Sequence, residues 1–177
     1  MFDPKELRRV MGLFATGVTV LTTRDDDGRP YGLTANAVTS LSLQPPLMIV
    51  CFALTSRTLA AVEQSRRFGV QFLAHDQEEL AARFASKLPE PEKFEGVEWS
   101  DRGGAPALDG CLAGMGCELR DLLPGGDHLI GVAEVVDLWT GGGDPLVFHR
   151  GDYWSLTERA PAPPEVDEAL EGPCYGR

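Results

Sequence analysis

The feature that most constrains this chain is a change of hydrophobic period at Gly17. Before it, Leu7, Val10, Met11 and Phe14 recur at the spacing of a single helical face. After it, apolar residues fall in short alternating or continuous runs, interrupted by Gly, Pro, Asn and Asp. A short amphipathic helix followed by many short strands argues for a small β-barrel and against a βαβ sheet.

The opening helix has its own start signals. Asp3 is placed to cap it, Pro4 suits the first helical position, and Glu6 stands three residues after the cap. Its apolar stripe is expected to cover a sheet. Strands are expected over Val18 to Thr23, Tyr31 to Leu43, Leu47 to Ala53 and Phe68 to Leu73. A turn at Asp25-Asp26-Asp27-Gly28 follows the first of these, and Gln44-Pro45-Pro46 ends the second. Short helices are expected over Ser56 to Gln64 and from Asp76, with Glu79, to about Ser86. Residues 87 to 110, rich in Pro, Gly and Glu, read as an excursion over the surface. The acidic residues there (Glu90, Glu92, Glu95, Glu98 and Asp101) read as a solvated face.

The last third is all-β in pattern. Cys111 to Leu122 and Leu129 to Trp139 flank the turn Pro124-Gly125-Gly126-Asp127, and Leu146 to His149 and Tyr153 to Leu156 flank Arg150-Gly151-Asp152. Gly131 interrupts a strand where a bulkier side chain would be normal, which predicts irregular pairing nearby. The expectation is one barrel of about seven strands with short flanking helices. It would occupy residues 1 to 157, followed by a Pro- and Glu-rich tail over 158 to 177.

Charge and cysteine usage narrow the partners. Sixteen basic against 27 acidic residues give a net charge of −11 and a pI near 4.6, the wrong sign for nucleic acid or an anionic membrane. No apolar run has the length of a membrane-spanning helix, and the start has no signal-peptide pattern, so a cytoplasmic protein is expected. Cys51, Cys111, Cys117 and Cys174 form no Cys-x-x-Cys pair and read as free thiols of a reducing compartment. His75, His128 and His149 are scattered without metal-ligand spacing, so no metal site is expected.

Three segments carry candidate chemistry. In Tyr31 to Leu43, alternation would put Thr34, Asn36, Ser40 and Ser42 on one face, beside the small Ala35. That face is either the wet side of an edge strand or a row of hydrogen-bonding groups against a flat ligand. Ser56-Arg57-Thr58 opens a helix after a buried strand. Free N–H groups, hydroxyls and a guanidinium there suit a phosphate, and an ordinary Ser56 cap with a solvated Arg57 is the plainer alternative. Gly126-Asp127-His128 opens another strand, where His128 is either a surface residue or a donor to a ligand. No Ser/His/Asp or Cys/His set stands at a recognisable spacing, and no Gly-x-Gly-x-x-Gly follows a strand.

Taken in order, these segments resemble the short-chain flavin reductases, the NAD(P)H-dependent partners of two-component flavin monooxygenases. The resemblance spans about residues 5 to 156. It rests on Phe14-Ala-Thr-Gly-Val-Thr-Val-Leu-Thr22, Gly32-Leu-Thr-Ala-Asn36, Thr39-Ser-Leu-Ser42, Pro45-Pro46-Leu47 and Cys51. It continues through Ser56-Arg57-Thr58, Phe84-Ala85, Gly126-Asp127-His128 and Gly151-Asp152-Tyr153. The resemblance implies an FMN-binding split β-barrel that reduces FMN or FAD with NADH or NADPH and passes reduced flavin to a monooxygenase.

It implies that Thr34, Ala35, Asn36, Ser40 and Ser42 lie along the isoalloxazine, with Cys51, Phe52 and Ala53 by the ring and ribityl chain. Ser56, Arg57 and Thr58 would take the phosphate, Phe84 would form a wall, and His128 and Tyr153 would border the nicotinamide. It also implies a homodimer. A non-catalytic flavin carrier or sensor on the same barrel is the alternative reading. An oxidase of the pyridoxamine-phosphate type, which shares the barrel, lacks an evident basic substrate-phosphate site beyond Arg57 and Arg66-Arg67.

Overall fold

The computed structural model describes residues 3–156. In chain order the elements are α1 (Pro4–Met11), β1 (Thr16–Gly17), β2 (Thr19–Arg24), β3 (Pro30–Ala35), β4 (Val38–Leu43), β5 (Pro46–Ala53), α2 (Arg57–Ser65) and β6 (Arg67–Phe72). They continue with α3 (Glu78–Ala85), α4 (Glu90–Phe94), β7 (Trp99–Arg102), β8 (Ala105–Leu108), β9 (Ala113–Gly125), β10 (His128–Thr140), β11 (Leu146–His149) and β12 (Asp152–Ser155). The expected tail over 158 to 177 lies outside the described residues.

Seven strands form one antiparallel sheet in the order β3-β2-β6-β9-β10-β5-β4. The two edge strands are neighbours in sequence: β3 ends at Ala35 and β4 starts at Val38. Asn36 and Ala37 alone join opposite edges, so the sheet must curl until its edges come within about 11 Å of each other there. The Cys51 N–H donates to the Ala37 carbonyl at 3.0 Å and fastens the link to β5. The result is the split barrel. A three-stranded sheet, β1-β11-β12, and the hairpin β7-β8 complete the β structure.

The expected strand Tyr31 to Leu43 is therefore two strands on opposite edges. A register shift at Leu41 further sets Ser40 opposite Met48 and Ser42 opposite Leu47. Met48 and Leu47 face opposite sides of β5, so the two serines do not share a face.

From Leu47 onward burial along β5 alternates: Met48, Val50 and Phe52 point inward, while Leu47, Ile49, Cys51 and Ala53 are partly exposed. The inward set joins Leu21, Leu59, Val62, Phe68, Val70 and Leu119 in the barrel interior, which α2 helps to fill. A second apolar cluster lies on the other side of β2, where Val20 meets Leu73, Ala81, Phe84, Phe94 and Leu108. With both faces covered, β2 shows no alternation at all; Thr19 to Thr23 are all buried.

Several expectations need correction. Residues 87 to 110 are largely exposed, as a surface excursion should be, but two parts turn inward: Ala105 to Leu108 are buried throughout, and Phe94 packs edge-to-face on Phe84 at 5.0 Å. Glu90 is not solvated, with only 6% of its side chain exposed. The α3 start is set by Gln77, not Asp76, and has no side-chain cap. Gly131 itself pairs with Val50 and Leu122, and the irregular pairing expected near it begins just beyond, between Val132 and Ala133, with a second shift between Val135 and Asp137. Its missing side chain makes room for Phe52, since a Cβ there would stand 3.0 Å from that ring. The helix α1 forms as expected, with Asp3 Oδ1 accepting from the Lys5 N–H at 2.9 Å, but its stripe covers no sheet. Leu7, Val10, Met11 and Phe14 are all more than half exposed.

Candidate active site

Two depressions meet where the chain crosses from β3 to β4. The smaller, about 200 Å³, is lined by Val18, Thr34, Ala35, Asn36, Ala85, Phe148 and Tyr153. The larger, about 620 Å³, runs from Asn36 and Phe148 over Val38, Thr39, Ile49 and Cys51 to the end of α1, where Arg8, Met11 and, just past the helix, Phe14 form its far wall. That volume lies in the ordinary range for small-molecule sites. Asn36 and Phe148 line both, so the two form one groove with Asn36 at its centre.

The strand pleat explains which residues reach it. On β5, Ile49 and Cys51 face outward into the groove, and Ala53 lies on the same face one pleat repeat, about 7 Å, further along. Ala53 pairs directly with His128, the first residue of β10, and the Leu54 N–H donates to the Asp127 carbonyl at 3.1 Å. The exit of β5 thus carries a small residue, a histidine and then the start of α2. Ser56 Oγ caps that helix by accepting from the Leu59 N–H at 3.3 Å. The N–H groups of its first turn have no partner within the helix and present a partial positive charge.

Side-chain partners define what each group can still do. Thr34 Oγ1 donates to the Ala81 carbonyl at 2.6 Å, leaving its oxygen as an acceptor only. Asn36 Nδ2 donates to Thr16 Oγ1 at 3.2 Å. His128 Nδ1 lies 2.7 Å from Asp127 Oδ1. That hydrogen bond, with the imidazole's charge and more weakly Arg8, holds the Asp127 carboxyl below the usual carboxylate range. Tyr153 stacks edge-to-face on Phe148 at 5.5 Å, and burial raises its hydroxyl above the ordinary phenol value. Arg57 is half exposed but not solvated alone: Nη2 donates to the Leu88 carbonyl at 2.6 Å and pairs with Glu90 Oε1 at 3.0 Å.

Of the residues singled out from sequence, Thr34, Ala35, Asn36, Cys51 and Tyr153 come together in the groove, and Ala53, Ser56, Arg57 and His128 gather at the exit of β5. Ser40 and Ser42 line neither depression, because the shift at Leu41 and the outer position of β4 take them away. Phe52, expected by the ring, and Phe84, expected as a wall, are interior, 0% and 1% exposed, so neither side chain lines the groove. Thr58 is buried in the first turn of α2. Residues missed by sequence reasoning include Phe148, Ile49 and the α1 wall. For Ile49 the signal was available, since it shares the parity of Cys51. Among the described residues no group of three His, Cys, Asp or Glu side chains could hold a metal ion, and no helix is long and apolar enough to cross a membrane.

The arrangement has the chemistry of a site for a flat, partly apolar ligand with an anionic end. Small side chains and backbone line the flat part, and a helix start with Arg57 beside it suits the anion. A family model described as flavin reductase like domain matches residues 11–157. The reductase subunit HsaB of a flavin-dependent monooxygenase from Rhodococcus jostii is 41% identical over 165 residues, covering 91% of this chain and 83% of that one. An NADH-dependent flavin reductase from a Rhodococcus species is 39% identical over 155 residues, 86% of each chain. The crystal structure of a nitrilotriacetate monooxygenase component B homolog from Mycobacterium thermoresistibile superposes with a TM-score of 0.87 at 37% identity, covering 96% of both chains.

Proposed function

The chain belongs to the flavin reductase-like family, and on that premise we propose that it is an NAD(P)H:flavin oxidoreductase supplying reduced flavin to a separate monooxygenase. The observation that carries the reading is the single path from Asn36 along the outer face of β5 to the first turn of α2. A three-ring heterocycle and its phosphate tail need that length and that order of environments.

A bound flavin would supply the redox chemistry, as acceptor of a hydride from a reduced nicotinamide, with the balancing proton drawn from solvent. The protein's part is to hold two rings face to face, which converts an encounter into a positioned reaction. Ala35, Cys51 and Ala53 leave the outer face of the wall low enough for a ring to approach the backbone. Asn36 and Thr34 offer hydrogen-bonding groups at its edge. Ser56 and Arg57, with the N–H groups of α2, take the phosphate. His128, fixed by Asp127, and Tyr153 border the open side where the nicotinamide enters. NADH is the proposed donor, by analogy with the Rhodococcus reductase. Either FMN or FAD fits the environments described, since both begin with the same ring, ribityl chain and phosphate.

We also propose a homodimer. The α1 stripe, Leu41 and Leu43 on β4, and Leu123 on β9 leave large apolar side chains exposed, the kind of surface that a subunit contact covers. The three described cysteines are free thiols, which suits a reducing, cytoplasmic setting. Residues 1 to 157 are proposed as the catalytic unit, with 158 to 177 as an appended tail.

The test is consumption of NADH and of NADPH by purified protein with FMN, FAD or riboflavin. Oxidation of at least one nicotinamide is expected; none with any flavin refutes the enzyme. Yellow protein whose flavin stays oxidised under anaerobic NADH and NADPH would point instead to a carrier. His128→Ala should slow anaerobic flavin reduction by about 10-fold or more with little change in flavin affinity. An unchanged rate removes His128 from the nicotinamide side.

A further inference from the structure

Behind the groove lies a buried ionic cluster that hydride transfer itself does not require. Glu90, at the start of α4, turns its carboxylate inward. The Gly32 N–H of β3 donates to Oε2 at 3.1 Å, while Arg57 and Lys93 approach Oε1 at 3.0 and 3.4 Å. Lys93 Nζ also donates to the carbonyls of Gly32 at 3.0 Å and Phe84 at 3.3 Å. One acidic side chain therefore joins the edge strand carrying Thr34, Ala35 and Asn36 to the helix start expected to take the phosphate.

The charges in this cluster do not balance. Two cations face one anion, so one positive charge remains. Lys93 is 5% exposed and held by two carbonyls and the Glu90 carboxylate, whereas the Arg57 side chain is 51% exposed. Both Arg57 contacts use Nη2; among the described residues Nε and Nη1 have no hydrogen-bond partner. The surplus charge emerges at Arg57, with donors to spare, beside the first turn of α2. A flexible side chain already held in place loses less freedom when it binds an anion.

We propose that Glu90 is a positioning residue for recognition of the flavin phosphate, acting through Arg57. The proposal rests on the reading of α2 as the phosphate end of the flavin site. It requires that removing the carboxylate weaken phosphate recognition even though the cluster becomes more positive.

The readout is the ratio of FMN to riboflavin affinity, measured by flavin fluorescence quenching with the full chain. Riboflavin lacks the phosphate, so a merely structural loss lowers both affinities and leaves the ratio alone. Arg57→Ala should collapse the ratio, and Glu90→Gln should lower it by about 3- to 10-fold. If Glu90→Gln retains or exceeds the wild-type ratio while Arg57→Ala lowers it, the positioning role is overturned and the phosphate reading stands. If Arg57→Ala leaves the ratio unchanged, both fall. Should Glu90→Gln alone not fold, with the Lys93 ammonium left unpaired, the double variant Glu90→Gln/Lys93→Met removes both buried charges. The same fall in ratio is then expected, and a wild-type ratio overturns the proposal.

Discussion

The two edges of the seven-stranded sheet are finished in opposite ways. On β3, Gly32 presents both backbone groups outward, and the carboxylate of Glu90 and the ammonium of Lys93 meet them. Thr34 is tied to α3, and Phe84 fills the space a glycine leaves. On β4, Thr39, Ser40, Leu41 and Leu43 are exposed and the strand is bulged at Leu41. An unpaired strand edge is a template for association unless something covers or distorts it. The first edge is covered from within the chain by charged side chains that stand in for a further strand. The second is only bent, and its leucines remain available to another surface. The difference separates an edge closed by the chain's own side chains from one that stays open.

That contrast can be broken by substitution. The largest effect is expected for Glu90→Ala, which strands a buried ammonium and a backbone N–H together. A loss of about 3–5 kcal/mol in urea unfolding is expected, and a loss below about 1 kcal/mol would mean that the cluster does not hold the β3 edge. Gly32→Ala comes next. The added Cβ would lie 2.5 Å from Phe84 Cε1, and Phe84, boxed in by Phe94, has no room to swing away. A cost of about 1–3 kcal/mol follows from such overpacking; a neutral result would show that the edge can slide. At the other edge, Leu43→Lys should change the unfolding free energy of the monomer by less than about 0.5 kcal/mol. Its expected effect is on assembly: light scattering should show the proposed dimer shifted toward monomer. An unchanged mass would place the subunit contact elsewhere.

Much of this could be read before any fold was seen. The strand over Leu47 to Ala53 was legible as a strand, although its continuous apolar run does not say which parity faces inward. The helix start at Ser56 was equally plain. The crossing at Asn36 was not, because Thr34, Asn36, Ser40 and Ser42 keep a period of two in the sequence while the strands that carry them part company. Local pattern cannot report which neighbour a strand takes. Glu90 was misread for a related reason. A glutamate between Pro89 and Pro91 has every local mark of a solvated turn, and its burial depends on Arg57, Lys93 and Gly32, residues that only tertiary structure brings to it. The stripe on α1 was legible as a stripe, but periodicity does not say what will lie against it.

The two-residue link at Asn36 and Ala37 has a consequence for the groove itself. Because outermost strands are covalent neighbours there, the girth of the cylinder at that end is set by bond lengths, as a hoop is, and not by how well side chains pack across the seam. Lengthening the hoop by one residue would let it open by up to about 3.6 Å. The gap a planar guest could enter is thus metered by the chain's own connectivity.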